Sequence, residues 1–460
     1  MKRARTRTAL LMISDVAVLT AVFFGVHSGF DHCFYAGELN CQWNFLPGVV
    51  IYALLAAYTR LYCGNFFYPG LPLSKIEEMR RTFLAITVAA LLMFVYTEIM
   101  LPYADHQLWV IATGWFFGFW LLLISRSLLR LLLKKLSICQ TKVLIAGYGS
   151  TGQKIFRILH EDPYYGFDPV GFVDDADIPG KAGKICDAAT VAARNNCRIL
   201  VCCLPLSTIE KHLNRFLRYF THVSIAASSK VFPISWAYPV NIGGIPGLEL
   251  TNQLRQKMPL YTKRIFEITM AVFCVLLLWP LLLILAVMVK LSSPGPIFYK
   301  ARRLGRFGKT IEVWKFRTMY EDADKKLDEL LAGNPELALE WRTHFKLNND
   351  PRITPLGSFL RKTSLDELPQ LFNVIRGEMA IIGPRPIVEA EKEYYGQAYE
   401  AMAMVKPGIS GYWQISGRSD VSYERRVELD LFYIFNWSVW FDVYIMMMTV
   451  VEVLRCRGAK

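Results

Sequence analysis

Four apolar stretches in the first third of the chain, at 9–30, 45–61, 83–101 and 108–129, limit what the rest can be. Each is close to the ~20 residues that a helix needs to cross the hydrocarbon of a bilayer, so we read them as spans rather than core helices. The amino end, with Lys2, Arg3, Arg5 and Arg7 before an apolar run, is shaped like a signal peptide. No small-x-small cleavage site follows and three more apolar runs do, so an uncleaved first span is expected. Composition agrees. The 460 residues are 53% hydrophobic and 20% charged, with a mean hydropathy of +0.28, whereas soluble domains carry about 25% charged residues. The same numbers exclude disorder. The formal charge of +13, in so apolar a chain, fits the basic cytoplasmic flanks of spans better than a nucleic-acid surface, and no nucleic-acid partner is expected.

Basic residues lie before the first span, at Arg60, Lys75, Arg80 and Arg81 between the second and third, and at Arg126, Arg130, Lys134 and Lys135 around the end of the fourth. Loops 31–44 and 102–107 have no Lys or Arg. The positive-inside rule then places both ends of a four-span transmembrane bundle, residues 1–135, in the cytoplasm. For Asp15 and Glu98, helix pairing or an interfacial position is expected and a functional role is the alternative. A fifth apolar run, 265–289, has Pro280 midway and basic residues on both flanks. It is predicted to enter the membrane, bend near Trp279-Pro280 and return; a straight crossing with a tolerated proline is the alternative. The ten cysteines form no CxxC pair or Cys/His cluster, so zinc is not expected. Cys33 and Cys41 are the one pair that could be bridged, if their loop faces an oxidising compartment.

Residues 136–255 change character. The stretch 142–146 (KVLIA) reads as a buried strand, followed by Gly147-Tyr-Gly149-Ser-Thr-Gly152 and a helical run, with further strands at 169–173, 198–203 and 222–227. This alternation argues a Rossmann-like α/β domain with a parallel sheet. Gly147, Gly149 and Gly152 fit the dinucleotide fingerprint, and Asp174 or Asp175 stands where a ribose-binding acid belongs. The segment is nearer half of a full dinucleotide domain, so a bound nucleotide or other anion and a structural or sensing module both stay open.

From 256 to 460 the chain is dense in turn residues, arginines and acids. Short elements are expected at 314–319 (WKFRTM), 350–354, 359–374, 383–386 (GPRP) and 406–418, with a charged helix at 321–345. No His is placed for general-base work, so the chemistry belongs to carboxylates and arginines. Ser364 followed by Glu367 spells a capping box, predicting a helix start at Leu365 whose free amides would keep Asp366 ionised and draw a phosphate. Successive helical positions point about 100° apart, so Asp366 and Glu367 need separate jobs. Lys315, Arg317, Arg361, Lys362 and Arg385 surround this start on separate elements, and arginine recognises phosphate by paired hydrogen bonds. Surface charges facing lipid headgroups are the alternative. The tail, 431–454, is aromatic and apolar but broken by Asn436, Asp442 and Glu452, which predicts a helix lying in the interface.

The strings KRIFEI, SPGPIFY, WKFRTM, NDPRIT, KTSLDELPQLFNV, GPRPIV, KPGISGYWQISGR and ELDLFY run in this order across 263–433. At these motifs the chain resembles the bacterial polyprenyl-phosphate sugar-phosphate transferases, the monotopic phosphoglycosyl transferases. The bundle and the nucleotide-fold middle fit the large form that transfers galactose 1-phosphate. The resemblance implies a membrane helical bundle, a Rossmann-like domain and an α/β monotopic catalytic domain with a re-entrant helix-hairpin kinked at Pro280. It implies that Asp366 attacks a UDP-sugar, expels UMP and forms a phosphosugar-aspartyl intermediate, which undecaprenyl phosphate then attacks. This would be the first membrane step of O-antigen or exopolysaccharide synthesis, with glucose as the alternative sugar. Glu367 would orient or deprotonate the acceptor, and Mg²⁺ is expected at Asp366. Lys315, Arg361 and Arg385 would handle phosphate, with Arg317 and Arg418 beside them and Arg352 and Asp430 as further site positions. A multi-pass homodimer among the lipids of the bacterial inner (cytoplasmic) membrane, with the catalytic domain on its cytoplasmic face, completes what is implied. Two departures stand out: many relatives have Ser-Pro where this chain has Trp279-Pro280, and Glu267 replaces the Asp of a KRxFD pattern. From other classes, an NAD-dependent sugar-nucleotide oxidoreductase or epimerase using Gly147–Gly152 leaves the richest motifs unexplained and has no evident Tyr/Lys pair. A non-enzymatic assembly or sensor subunit is the third reading.

Overall fold

The computed structural model describes residues 2–34, 45–62, 64–65, 68–69, 73–100, 107–177, 181–226, 235, 237–242, 245–321, 323, 350–417 and 421–454. The chain forms two compact units, Met1–Ser228 and Ser229–Lys460. The packing boundary therefore falls inside the segment 136–255 that the sequence reading grouped as one domain.

The first unit begins with helices α1 (Lys2–Phe34), α2 (Leu46–Tyr58), α3 (Lys75–Met100) and α4 (Gln107–Lys135). Of these, α1, α3 and α4 are long and apolar enough to cross a membrane. Helix α2 has 13 residues and rises about 20 Å, short of a ~30 Å hydrocarbon core. The second expected span is thus shorter than its apolar run. Its direction is still fixed. Phe45 stacks on Phe23 with ring centroids 6.0 Å apart, while beyond the other end the Tyr62 hydroxyl donates to Asp15 at 2.6 Å. Helix α2 therefore returns antiparallel to α1. The side chain of Cys33 and all of Cys41 lie outside the described residues.

Asp15 serves helix pairing. Arg126 Nε donates to both of its carboxylate oxygens at 3.0 and 3.1 Å, and the same guanidinium reaches Glu78 at 3.2 Å, Thr82 at 2.7 Å and the Tyr52 hydroxyl at 2.7 Å. Arg130 completes the knot with two bonds to Glu78, at 2.8 and 2.7 Å. Two acids and two arginines, each at most 6% exposed, cancel in charge where an unpaired ion would be costly. Glu98, by contrast, is exposed near the end of α3.

The basic ends of these helices meet one loop. Arg7 donates to the carbonyls of Tyr164 and Tyr165, Arg130 lies over the Tyr164 ring at 4.4 Å, Lys75 pairs with Asp162 at 3.0 Å, and Lys134 donates to the His160 and Glu161 carbonyls. That loop belongs to a five-stranded parallel sheet of β1 (Thr141–Ala146), β2 (Phe167–Val173), β3 (Lys181–Gly183), β4 (Ile199–Cys202) and β5 (His222–Ile225), in the order β3-β2-β1-β4-β5. Helices α5 (Ser150–Glu161), α6 (Ala188–Arg194) and α7 (Leu206–Tyr219) are the crossovers. Leu144, Ala146, Leu200 and Cys202 are 0% exposed, as expected of strands covered on both faces.

The second unit opens with a hairpin, β6 (Ala237–Ile242) and β7 (Ile245–Leu250), and then α8 (Lys257–Ser292). Helix α8 has 36 residues and stays helical through Pro280. Its first half packs Ala271 with Ala301, Val313 and Val374, and its second half packs Leu285 and Val289 with Phe316 and Leu360. Phe273, Leu276, Leu277, Trp279, Leu283 and Ile284 on other faces are 57% to 69% exposed, a surface suited to lipid. The unit continues as an antiparallel hairpin, β8 (Phe298–Leu304) with β9 (Thr310–Phe316), then α9 (Pro355–Thr363), α10 (Gln370–Arg376) and β10 (Ala380–Ile382). Short helices α11 (Lys392–Tyr395) and α12 (Ala398–Ala403) precede β11 (Gly408–Ser410), which pairs in parallel with β10. Helices α13 (Tyr412–Ile415), α14 (Tyr423–Asn436) and α15 (Val439–Leu454) close the chain. The tail expected as one interfacial helix is instead broken at Trp437-Ser438. Phe441, Asp442 and Ile445 are at most 2% exposed, because Asp442 accepts from Lys263 and the Tyr433 hydroxyl, both at 2.7 Å, and draws α15 onto the unit. Of the charged helix expected at 321–345, only residues 321 and 323 are described.

Candidate active site

Asp366 sits on a single 3₁₀ turn, Leu365–Glu367, between α9 and α10. The expected capping box does not form. Ser364 ends α9 in the left-handed conformation, φ 57°, and its side chain caps nothing, since an N-cap needs extended backbone there. The α-helix resumes only at Gln370 after Pro369. A one-turn element has little dipole to hold a carboxylate ionised, and burial dominates instead. Asp366 is 8% exposed. Burial pushes its carboxyl up to about 6, with Lys315 and Arg361 pulling down and Glu367 pushing further up.

Local packing fixes this turn against β9. Asn373 of α10, 0% exposed, accepts from the Trp314 amide at 3.0 Å and donates to the Glu312 carbonyl at 2.7 Å. Lys315, one residue on, thereby places Nζ 2.7 Å from Glu367 and 3.9 Å from Asp366. Thr354 caps α9 through the Gly357 amide at 2.9 Å. A Cβ at Gly357 would stand 2.0 Å from the Thr318 carbonyl oxygen, so only glycine allows α9 to lie this close to the exit of β9. Arg361 on α9 donates to Thr318 Oγ1 at 2.9 Å. Asp366, Glu367, Lys315 and Arg361 are therefore brought together.

A cleft of about 410 Å³ opens beside them, lined by Lys315, Glu367, Gln370, Arg303, Arg385 and Gln414 among others. Arg385 is held at its rim by the ends of β10 and β11, where a Cβ at Gly408 would meet Gly383 N at 2.1 Å. Sequence reading missed Arg303, Gln370 and Gln414. Arg303 was legible: Tyr299, Ala301 and Arg303 lie opposite Lys315, Val313 and Ile311, and directly opposed residues share a face.

Residues 258–456 match the family model described as bacterial sugar transferase, and residues 73–227 match that described as a CoA-binding domain. Over 405 residues the chain is 33% identical to the undecaprenyl-phosphate galactose phosphotransferase of Salmonella typhimurium, covering 84% of this chain and 82% of that one. It belongs to the bacterial sugar transferase family. This transferase is also 28% identical over 467 residues to the UDP-glucose:undecaprenyl-phosphate glucose-1-phosphate transferase of Klebsiella pneumoniae, covering 96% and 94% of the two chains. A shorter relative, the exopolysaccharide production protein ExoY of Sinorhizobium fredii, is 50% identical over 198 residues, 43% of this chain and 88% of that one.

Other expected site residues of the transferase are engaged elsewhere. Arg317 donates to the Ser293 carbonyl at 2.6 Å, the Ser293 hydroxyl at 3.0 Å and the Pro294 carbonyl at 2.7 Å. It clasps the turn after α8 rather than lining the cleft, and Gly295, at φ +117°, leaves the space for its guanidinium. Arg352 forms a bidentate pair with Asp350 at 2.8 and 2.6 Å. Asp430, 1% exposed, accepts from the Tyr395 hydroxyl at 2.8 Å, and burial pushes its carboxyl up to about 7 against the pull of Arg426. Arg418 lies outside the described residues. In the first unit, Gly147 takes φ +101° and a Cβ on Gly152 would collide with its carbonyl oxygen at 2.0 Å. Asp174, expected to read a ribose, accepts from the Tyr148 amide of that loop at 2.8 Å.

Among the described residues no three His, Cys, Asp or Glu side chains cluster at metal-ligand spacing. Mg²⁺ commonly needs only one or two carboxylates when substrate phosphates supply the other oxygens. The buried Asp366 carboxylate beside a cationic cleft fits such a substrate-shared ion.

Proposed function

We propose that this transferase moves galactose 1-phosphate from UDP-galactose to undecaprenyl phosphate, with Asp366 as the nucleophile. The observation that carries the reading is one buried carboxylate, Asp366, 3.9 Å from the Lys315 ammonium and next in sequence to Glu367, both of which line a cleft together with Arg303 and Arg385. Asp366 attacks the phosphorus next to the sugar, and the bond to the UMP oxygen breaks with its electron pair leaving on UMP. A phosphate oxygen of undecaprenyl phosphate then attacks the same phosphorus, the aspartyl bond breaks, and Asp366 leaves as a carboxylate. Two half-reactions let one site serve a soluble donor and a lipid acceptor in turn. Glu367, held by Lys315, orients or deprotonates the acceptor, and Lys315, Arg361 and Arg385 hold phosphoryl oxygens. Mg²⁺, when bound at Asp366, supplies charge neutralisation of the diphosphate. The lipid-linked sugar would start a surface polysaccharide such as O-antigen or exopolysaccharide.

Galactose rests on the name of the Salmonella relative; glucose, named for the Klebsiella relative, is the second reading. The membrane setting is part of the proposal. Ala271 and Leu285, on either side of Pro280, both pack within one compact unit, and a mid-helix proline removes a backbone hydrogen bond; together these support a bend there and a re-entrant α8. The basic ends of α1, α3 and α4 at the Pro163–Tyr165 loop support a cytoplasmic face for the domains after the bundle. We further propose a homodimer in the bacterial inner membrane, with residues 1–135 as the membrane bundle, 136–255 as a Rossmann-like cytoplasmic domain and 256–460 as the catalyst.

The test is incubation of the full chain in detergent with UDP-[¹⁴C]galactose, with and without undecaprenyl phosphate. Label should remain on the protein until acceptor is added, and Asp366→Asn should lose both label and turnover. An Asp366→Asn protein that still turns over would overturn the assignment. A panel of UDP-sugars read by UMP release decides the sugar.

A further inference from the structure

Beside the cleft, four hydrogen-bonding atoms are buried without a partner: Trp413 Nε1, the Tyr423 hydroxyl, and Nε and one terminal nitrogen of Arg426. They belong to one cluster. The Arg426 guanidinium carbon lies 4.9 Å from the centre of the Trp413 ring and 5.0 Å from that of Tyr423, and the side chain is 9% exposed. Arg385, at the cleft rim, lies over the same Trp413 ring at 5.7 Å. Buried donors are nearly always paired in folded proteins, so four orphans together require an explanation. Charge sharpens it. Among the described residues no carboxylate is within 4 Å of Arg426: Asp430 is engaged by Tyr395, and Glu391 accepts from the Val388 amide at 3.4 Å. Arg385 lies over the Trp413 ring of the cluster and lines the same cleft as Glu367, so it links the cluster to the catalytic pair.

We propose that Trp413, Tyr423 and Arg426 form an oxyanion subsite that receives a phosphoryl group adjacent to the one attacked by Asp366. The proposal rests on the transferase reading above and names residues for a second phosphoryl group. A phosphoryl group, with several acceptor oxygens, could satisfy the indole N–H, the phenol O–H and the guanidinium, and would neutralise two arginines that otherwise repel each other. The group is either the phosphate of the nucleotide or that of the lipid acceptor.

The full-length protein is titrated calorimetrically with UMP, inorganic phosphate, uridine and a short-chain polyprenyl phosphate in mixed micelles. Arg426→Gln and Trp413→Phe are compared with wild type, all also in the Asp366→Asn background so that affinity is read apart from turnover. Loss of a charge-assisted bond should weaken binding about tenfold or more for Arg426→Gln, with a smaller loss for Trp413→Phe, which keeps an aromatic ring but not the N–H. Weakened UMP with unchanged uridine assigns the subsite to the nucleotide phosphate. Weakened polyprenyl phosphate with unchanged UMP assigns it to the acceptor. Arg426→Lys should recover part of the loss. Unchanged affinity for UMP, phosphate and polyprenyl phosphate in both variants, or an equal loss for uridine, overturns the subsite. Turnover by Asp366→Asn would instead remove the nucleophile and leave the binding result standing.

Discussion

Replacing Arg126 by Met tests the buried knot of the helical bundle. In the folded protein Asp15 and Glu78 face Arg126 and Arg130, a neutral set of two and two, with Arg126 1% and Asp15 0% exposed. The substitution keeps an unbranched apolar stem but removes the guanidinium, and leaves one negative charge in excess. Glu78 retains its two bonds to Arg130, so the loss falls on Asp15, which keeps only the hydroxyls of Tyr52 and Tyr62. Removing one partner of a buried pair costs about 3–5 kcal/mol. Asp15→Asn added to Arg126→Met restores neutrality, and its side-chain carbonyl can still accept from both tyrosines. The double variant should therefore lie within about 1–2 kcal/mol of wild type, less destabilised than the Arg126 single variant. Thermal unfolding in detergent, followed by fluorescence-detected size exclusion, measures all four members of the cycle. A double variant no better than Arg126→Met would show that the knot acts through shape rather than charge, and would refute the pairing of Asp15 with Arg126 as the source of its stability.

The second unit gives two other outcomes. Asp430 has a folded pKa of about 7 against about 3.9 when unfolded, so the folded state holds a proton that the unfolded state has lost between these values. Stability should fall by about 4 kcal/mol as pH rises from about 4 to about 7 on this account, and Asp430→Asn should remove that part of the slope; an unchanged slope in melts from pH 4.5 to 8 would refute burial as its cause. Arg317→Met should lower stability by about 3 kcal/mol by opening the turn after α8, while UMP affinity in the calorimeter stays within twofold; a tenfold loss of UMP affinity would return Arg317 to the phosphate-binding set.

Much of the fold was legible because strand and span signals are local. The apolar stretch 142–146, ended by glycines, could hardly be anything but a covered strand, and β1, β2, β4 and β5 lie at the expected places. Strand β3, three residues with no apolar run, carried no such signal. The clustering of Asp366, Glu367, Lys315 and Arg361 was legible from motif order, but two local rules misled. Ser364-x-x-Glu367 spells a helix start, yet α9 already runs to Thr363, so Ser364 is an exit residue and takes the left-handed turn. Arg317 reads as one more cation among many. Only the fold brings the Ser293 and Pro294 carbonyls to it, from 24 and 23 residues away along the chain. The orphaned donors around Arg426 were invisible for the same reason, since a missing partner is a property of packing.

The same long-range clasps explain how an apolar helix and the cleft beside Asp366 are held as one object. At the start of α8, Lys263 pairs with Glu267 at 3.0 Å and Asp442 at 2.7 Å, and Arg264 caps the end of α10 through the carbonyls of Val374 and Ile375 at 2.6 and 3.0 Å, where carbonyls lack helix partners. At its end, Arg317 holds Ser293 and Lys290 reaches the Gly295 carbonyl at 3.1 Å. Between these points Leu285 and Val289 pack with Leu360, Leu365 and Leu368, the last two flanking Asp366 in sequence. Helix α8 therefore cannot shift along its axis without moving the carboxylate. On the proposed reading, the depth at which the exposed apolar faces of α8 settle in lipid would set the height of Asp366 above the hydrocarbon, so that the lipid acceptor's phosphate and the soluble donor's diphosphate would reach one carboxylate without a lid carrying either across.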